Sequence, residues 1–434
     1  MGALFTRWNE SEDRELFAEN ILIPQSELIV ALSRAVDLVS SRLIDHQKRV
    51  AYIAYRIAKA NGLNRAEQLE ILLAGLLHDI GATPLALQQR SQILDFNYDD
   101  STRCHQEASH FILKDYEPFK QIADIARYHH ANWQKDRDTV HSFCHYINLA
   151  DKIDTLLHPD SYVLHQVDEI KERIVQERGK KFNPEFVDVF LSLVPQESFW
   201  LDIVSSYLDG LLTKEIETLQ KAEFDLPNLL SFANMVSKVI DFRSPFTATH
   251  SVGVAYTAKT LAEYMGFSEQ QCTFMQIAGL FHDIGKLVVP HEILNKPDKL
   301  TIDEMKIMKT HTFHTYRIMS KITGFHEITE WAAFHHERLD GKGYPFRIAG
   351  NEISLEARIM AVADIFTALR EERPYKPGFD KQKILSILNN MIGEAIDERV
   401  VSVLTDNFQI IEEICLQQQH SRDKKYKEMQ NFIQ

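Results

Sequence analysis

Cysteine is scarce. The four in 434 residues, Cys104, Cys144, Cys272 and Cys415, are too few and too scattered for a disulfide framework, and none stands in a CxxC spacing. They fit a reducing compartment and read as packing residues rather than chemistry. Long apolar runs are missing too. None approaches the ~18 residues of a membrane span, and no charged-then-apolar leader opens the sequence. The expectation is a soluble, cytoplasmic protein without a membrane partner. Basic charge is in deficit: 48 Lys and Arg against 62 Asp and Glu give a net charge of -14. Nucleic-acid polymers and membrane surfaces call for a basic footprint, so neither is expected as a partner. A small anionic substrate then needs a site that carries its own positive charge. Strand-like alternation is rare, and no Gly/Ser-rich tether interrupts the chain.

What is present is an ordinary globular composition, 44% hydrophobic and 25% charged, in a chain long enough for two or three domains and substantial cores. Nineteen histidines stand out. Ten of them fall on a repeat. His46 to His78 is 32 residues, as is His250 to His282; His105 to His129 is 24, as is His311 to His335. The pairs His129-His130 and His335-His336 match. So do His78-Asp79 and His282-Asp283, and Asp151 (in NLADKID) and Asp364 (in AVADIF). Duplication of one unit explains this better than coincidence.

Helical periodicity surrounds the repeat. Val50, Ile53, Ala54 and Ile57 follow His46 at helical spacing; Val254, Ala258, Leu261 and Met265 follow His250. Asn64 with Glu67, Ser268 with Gln271 and Thr301 with Glu304 read as capping boxes. The expected fold is all-α: two tandem helical bundles, residues 1–191 and 227–434, joined by a helical connector over 192–226. Residues 1 to about 25 read as a loosely held start or a first helix, and the Gln- and Lys-rich tail after Gln417 as a solvated helix or frayed end.

In the second half, His250, His282, Asp283, His311, His335, His336 and Asp364 exceed what one metal needs. They suit two ions of the Fe, Mn or Zn type, with Asp283 placed to bridge. Two such ions can share a hydroxide and serve phosphoryl transfer. Any one of these histidines alone reads as a satisfied core residue; the set does not. Gly285 is the residue type that ends a helix in a left-handed turn. Gly341 and Gly343 permit tight turns or close approach, and Tyr344 before Pro345 presents its ring stiffly. A plain surface turn fits those loop residues equally well. Lys286, Arg373 and Lys376 offer positive charge to a phosphate.

The phrases THSVGVA, FHDIGKLVVP, ILNKP, HHERLDGKGYP, AVADIF and RPYK stand in order over about a third of the chain. Residues from about Asp241 to Lys376 thereby resemble the HD-GYP domain, a subgroup of the HD metal-dependent phosphohydrolases. The resemblance implies an all-helical domain holding two or three Fe or Mn ions. The activity it implies is hydrolysis of cyclic di-GMP or 3',3'-cyclic GMP-AMP to a linear dinucleotide. It makes His250, His282, Asp283, His311, His335, His336 and Asp364 metal ligands. Asp283 and Lys286 become catalytic, and Lys286, Gly343, Tyr344, Pro345, Arg373 and Lys376 face the substrate. Trinuclear members carry a Glu four residues before the first histidine; Phe246 stands there, so two ions are expected.

The first half resembles a bare HD domain. His46, His78, Asp79, His105, His129, His130 and Asp151 occupy the ligand positions, a second candidate metal site. Ala82 replaces the lysine, no Gly-Tyr-Pro follows His130, and the span from His129 to Asp151 is seven residues shorter than from His335 to Asp364. A regulatory or homodimer-forming unit is one expectation; a scaffold with a metal-free polar core is the other. With no receiver-like, PAS-like or membrane segment before the repeat, input is expected through the first half, partners or expression level. Two other functions remain open at this point: a mononucleotide phosphohydrolase and a non-catalytic cyclic-dinucleotide-binding module.

Overall fold

The computed structural model describes residues 23–37, 45–83, 96, 104–245, 247–371 and 378–433. The opening residues, Phe246, Arg373 and Lys376 lie outside the described residues, and so do the expectations placed on them. Over the described residues the chain forms two compact units, one of residues 24–223 with 429–433 and the other of residues 224–428 with Ile23. Among the described residues, strand is confined to two paired dipeptides, Ile23–Pro24 and Glu223–Phe224. The rest is helix and turn, and the all-α expectation holds.

The first unit is built on α1 (Gln25–Asp37), α2 (His46–Ala60), α3 (Arg65–Leu77), α4 (Cys104–Leu113), α5 (Lys120–Arg127) and α6 (Phe143–Thr155). It continues through α7 (Val167–Gln176), α8 (Pro184–Leu193), α9 (Glu197–Ile203) and α10 (Leu208–Leu219). The stretch read as a connector is thus helical, and up to Glu223 it belongs to this unit. In α2 the stripe Val50, Ile53, Ala54 and Ile57 is fully buried. Each large member contributes about 1.5–3 kcal/mol by leaving water. That stripe packs on α3 and α6.

The second unit repeats the first six helices as α11 (Leu226–Asp241), α12 (His250–Tyr264), α13 (Glu269–Phe281), α14 (Thr310–Met319), α15 (His326–Ala333) and α16 (Leu355–Arg370). The long helix α17 (Phe408–Ile433) closes the chain, so the tail is helix. The pairings repeat as well: α12 packs on α13 and α16 as α2 does on α3 and α6.

All three expected capping boxes form, at Asn64/Glu67, Ser268/Gln271 and Thr301/Glu304. Each satisfies backbone N–H groups that a helix start leaves open, for about 1 kcal/mol. The first two set the start of α3 and α13, and so the depth at which the His-Asp pair emerges at their ends.

The role expected of Gly285 needs correction. It does not adopt a positive φ. The residue lies in a 3₁₀ turn, Ile284–Val288, pressed against α14. A Cβ there would fall 1.9 Å from the His311 carbonyl oxygen; at Gly81, one would fall 2.2 Å from the Ser109 nitrogen. Glycine is required by the approach of two backbones, which lets the His-Asp pair and the histidine of the next helix share one small space.

Candidate metal centres

Each unit brings its seven expected residues together. In the second, His250 opens α12, His282 and Asp283 follow α13, His311 lies in the first turn of α14, His335 and His336 follow α15, and Asp364 lies on α16. Ligand atoms of His250, His282 and Asp283 lie within 4.8 Å of one another, and so do those of His311, His335 and His336. Asp283 joins the two groups. Its Oδ2 is 3.2 Å from His282 and 3.9 Å from His250, and its Oδ1 is 3.4 Å from His311. Asp364 joins them again, 3.0 Å from His250 Nε2 and 3.8 Å from His336 Nδ1.

The first unit holds the same arrangement. His46, His78 and Asp79 form one group, and His105, His129 and His130 the other. Asp79 turns Oδ2 to His46 and His78 (3.8 and 3.7 Å) and Oδ1 to His105 and His129 (3.5 and 3.4 Å). Asp151 reaches His46 at 3.5 Å and His130 at 3.6 Å.

Backbone carbonyls fix the rings. Nδ1 of His78, His129, His282, His311 and His335 each donates to the carbonyl three residues earlier, at 2.6–2.8 Å. That tie selects the tautomer with a free Nε2 lone pair, the form a metal takes. Burial pushes the His78 ring down to about 4 and the His311 ring to about 3, and drives His335 far below the usual range. These rings are neutral at pH 7. Burial alone would raise the carboxyls of Asp79 and Asp283. The adjacent rings of His78 and His282, with Lys286 at the second site, instead hold both well below the usual carboxylate range.

The donor sets fit transition-metal ions. Nε2 of His46, His78 and His282, and Oδ1 of Asp79 and Asp283, are buried without a hydrogen-bond partner. Each such orphan costs about 1–3 kcal/mol unless something binds it. Neutral imidazole and ionised carboxylate are the ligands that Fe, Mn and Zn accept.

A second layer of residues was not anticipated. His250 donates from Nδ1 to Glu371 at 3.2 Å, and Glu371 is itself held by Gln419 of α17 at 2.9 Å. In the first unit Asp154 plays this part for His46 at 2.7 Å, steadied by Arg49. Against the effect of burial, Asp154 raises His46 to about 9, and Glu371 with Asp364 raises His250 to about 10, so an ion at either ring would displace a proton from Nε2. Asp37 and Asp241, each nine residues before the first histidine, end α1 and α11. Both are buried, and burial lifts them to about 8 and about 6. Asp241 accepts the Ser251 N–H at 3.3 Å, and Asp37 that of Gln47 at 3.5 Å. Ser109 and Thr315, each four residues after a histidine, donate to the His78 and His282 carbonyls and accept the Gly81 and Gly285 N–H groups. Both matched spacings were open to view in the sequence.

The units differ around this shared centre. Lys286 lies 2.5 Å from Asp283 Oδ2. Burial would lower its ammonium, but Asp283 more than offsets that and keeps it charged. Arg243, buried, donates to the carbonyls of Lys286 and Val289 and so fastens the turn that carries the lysine. The loop after His336 is no plain surface turn. Phe346 and Ile348 join Phe334, Ile353 and Ala357 in a small core, and the buried Glu337 accepts the N–H groups of Phe346 (2.7 Å) and Arg347 (3.2 Å). Gly341 has φ +71°, while Gly343 has no room for a Cβ beside Glu337 and Arg338. Tyr344, joined to Pro345 by a cis bond, rests 4.9 Å from the His336 ring, with the Lys309 ammonium 4.9 Å from its own ring centre.

Fold and site together define an HD-type metal-dependent phosphohydrolase. Two HD domain families match the chain, over residues 43–156 and 234–400. The 3'3'-cGAMP-specific phosphodiesterase 1 of Vibrio cholerae is 30% identical over 393 residues, covering 87% of this chain and 90% of that protein. Its phosphodiesterase 3 is 34% identical over 268 residues (60% of this chain, 56% of that one). The cyclic di-GMP phosphodiesterase response regulator RpfG of Xanthomonas campestris is 38% identical over 182 residues (42% and 48%). The chain thus spans about half the length of the last two. A crystal structure of a cyclic GMP-AMP specific phosphodiesterase of V. cholerae shares the fold, with a TM-score of 0.63 at 22% identity over 90% of this chain and 98% of that one. The chain belongs to the HD-GYP-type cyclic-dinucleotide phosphodiesterases that carry a separate N-terminal HD domain. Among the described residues no helix is long and apolar enough to cross a membrane.

Proposed function

We propose that the second unit hydrolyses 3',3'-cyclic GMP-AMP to a linear dinucleotide, with cyclic di-GMP as the second candidate substrate. The carrying observation is Asp283, which faces both histidine groups and also meets Lys286. The relative matched across both units is named for 3'3'-cGAMP, which supports that substrate first. His250, His282, Asp283, His311, His335, His336 and Asp364 would hold two divalent ions, Fe or Mn. Bound there, such ions supply Lewis acidity and an activated water.

The chain's own residues do the rest. Lys286 places a fixed positive charge beside Asp283, where the phosphate's negative charge must be met. Glu371 and Asp241 orient His250 and the backbone after it. Tyr344 offers a ring face to a base, and Glu337 holds the loop that presents it. Arg373 and Lys376 add phosphate contacts in this reading. One water is consumed, one phosphodiester bond opens, and the ring becomes linear. The first unit is proposed to bind metal through His46, His78, Asp79, His105, His129, His130 and Asp151; its orphaned buried donor atoms support this.

The test is hydrolysis by Fe(II)- or Mn(II)-loaded protein of 3',3'-cyclic GMP-AMP, cyclic di-GMP and cyclic di-AMP in parallel, with His282→Ala and His78→Ala variants. Turnover of 3',3'-cyclic GMP-AMP, lost in His282→Ala and kept in His78→Ala, is expected. Metal-loaded protein that turns over none of the three sinks the proposal.

A further inference from the structure

The first unit lacks the lysine that Lys286 supplies to the second; Ala82 stands in its place. It does not lack a lysine at the site. Lys152 follows Asp151 on α6, where the second unit has Ile365 after Asp364. Its side chain is 2% exposed, and its ammonium lies 3.2 Å from Asp151 Oδ2. That same oxygen is 3.6 Å from His130. Burial pushes the His130 ring far down, and the neighbouring Lys152 ammonium pushes the same way. Lys286 bears on the matching pair: its ammonium is felt by His336, and it is itself influenced by Asp364.

The two units have therefore exchanged positions for one cation. The 3₁₀ turn carries it in the second and α6 carries it in the first. A buried lysine is costly to keep, and ordinary packing would leave it at the surface. Asp151 lies against it, and Asp79 faces the same cage, so two carboxylates border the space between the histidine groups. An oxyanion resting across the two histidine groups would meet those carboxylates, and a point charge on their side offsets the repulsion.

We propose that Lys152 is the phosphate-facing cation of the first site, taking by another route the part Lys286 has in the second. The first unit is then an oxyanion-binding centre in its own right. This rests on the reading of the first site as a metal site, and the experiment separates the two.

Full-length protein carrying His282→Ala and His335→Ala, which removes a ring from each group of the second site, is loaded with Mn(II). Metal content is measured by mass spectrometry, and inorganic phosphate is titrated by its ³¹P relaxation. Lys152→Met is then added. The expected result is an unchanged metal-to-protein ratio and phosphate affinity at least tenfold weaker. Unchanged phosphate affinity with metal retained overturns the proposal alone. Loss of metal on Lys152→Met also overturns it, because the lysine then only braces Asp151. A parent that holds no metal in the first unit defeats the metal reading, and the proposal with it.

Discussion

Asp283 is the residue on which the second site turns, because each of its oxygens serves a different histidine group. Lys286 shares one of those oxygens without adding a ligand, so charge and metal retention are separable. Lys286→Met should lower kcat at least a hundredfold while the metal-to-protein ratio stays the same; steady-state assay with elemental analysis checks both. Glu371 acts one step further out, by fixing His250. Glu371→Gln should weaken metal retention by the second unit about 10- to 100-fold, read by competition with a chelator of known affinity. Retention equal to the parent protein would show that Asp364 orients His250 unaided.

Among the elements, the loop from Glu337 to Ile348 separates the two units most clearly, and it is fastened through its own backbone. Glu337→Ala takes the acceptor from the part-buried N–H groups of Phe346 and Arg347, at about 1 kcal/mol each. KM should rise more than kcat falls, metal content should hold, and the second unit should melt several degrees lower. A fall in kcat with KM unchanged would give the loop a part in the chemistry itself. The helices, and the seven residues that each unit brings together, were legible in the sequence, because matched spacings and capping boxes are local signals. The carboxylates behind them were less so. Asp154 follows its aspartate by three residues and Glu371 by seven, so no shared spacing marks them. Asp37 with Asp241 and Ser109 with Thr315 were marked by equal spacings that stand outside the histidines. Gly285 was misread because the need for it comes from α14, a contact that turn chemistry does not announce. Lys152 stayed hidden for a related reason: which helix delivers a cation is fixed only once the helices pack.

At the scale of the whole molecule, two cages of one plan stand in separate compact units. Stripping metal should lower the stability of both, since ions that bind only the folded cage stabilise it by mass action. Calorimetry with and without chelator should show the effect, and His78→Ala should abolish the part that belongs to the first unit. A melting profile indifferent to chelator would mean that the cages are held by their hydrogen bonds alone.

The first cage draws its residues from Asp37 to Asp154, whereas the second reaches from Asp241 through Glu371 to the brace at Gln419. A ribosome adding about 5–20 residues per second needs roughly 13–53 s to pass from Asp154 to Gln419. For that interval a nascent chain has one finished cage and one unmade. Whichever ion is at hand during synthesis meets the first unit's histidines before the second unit has its full set.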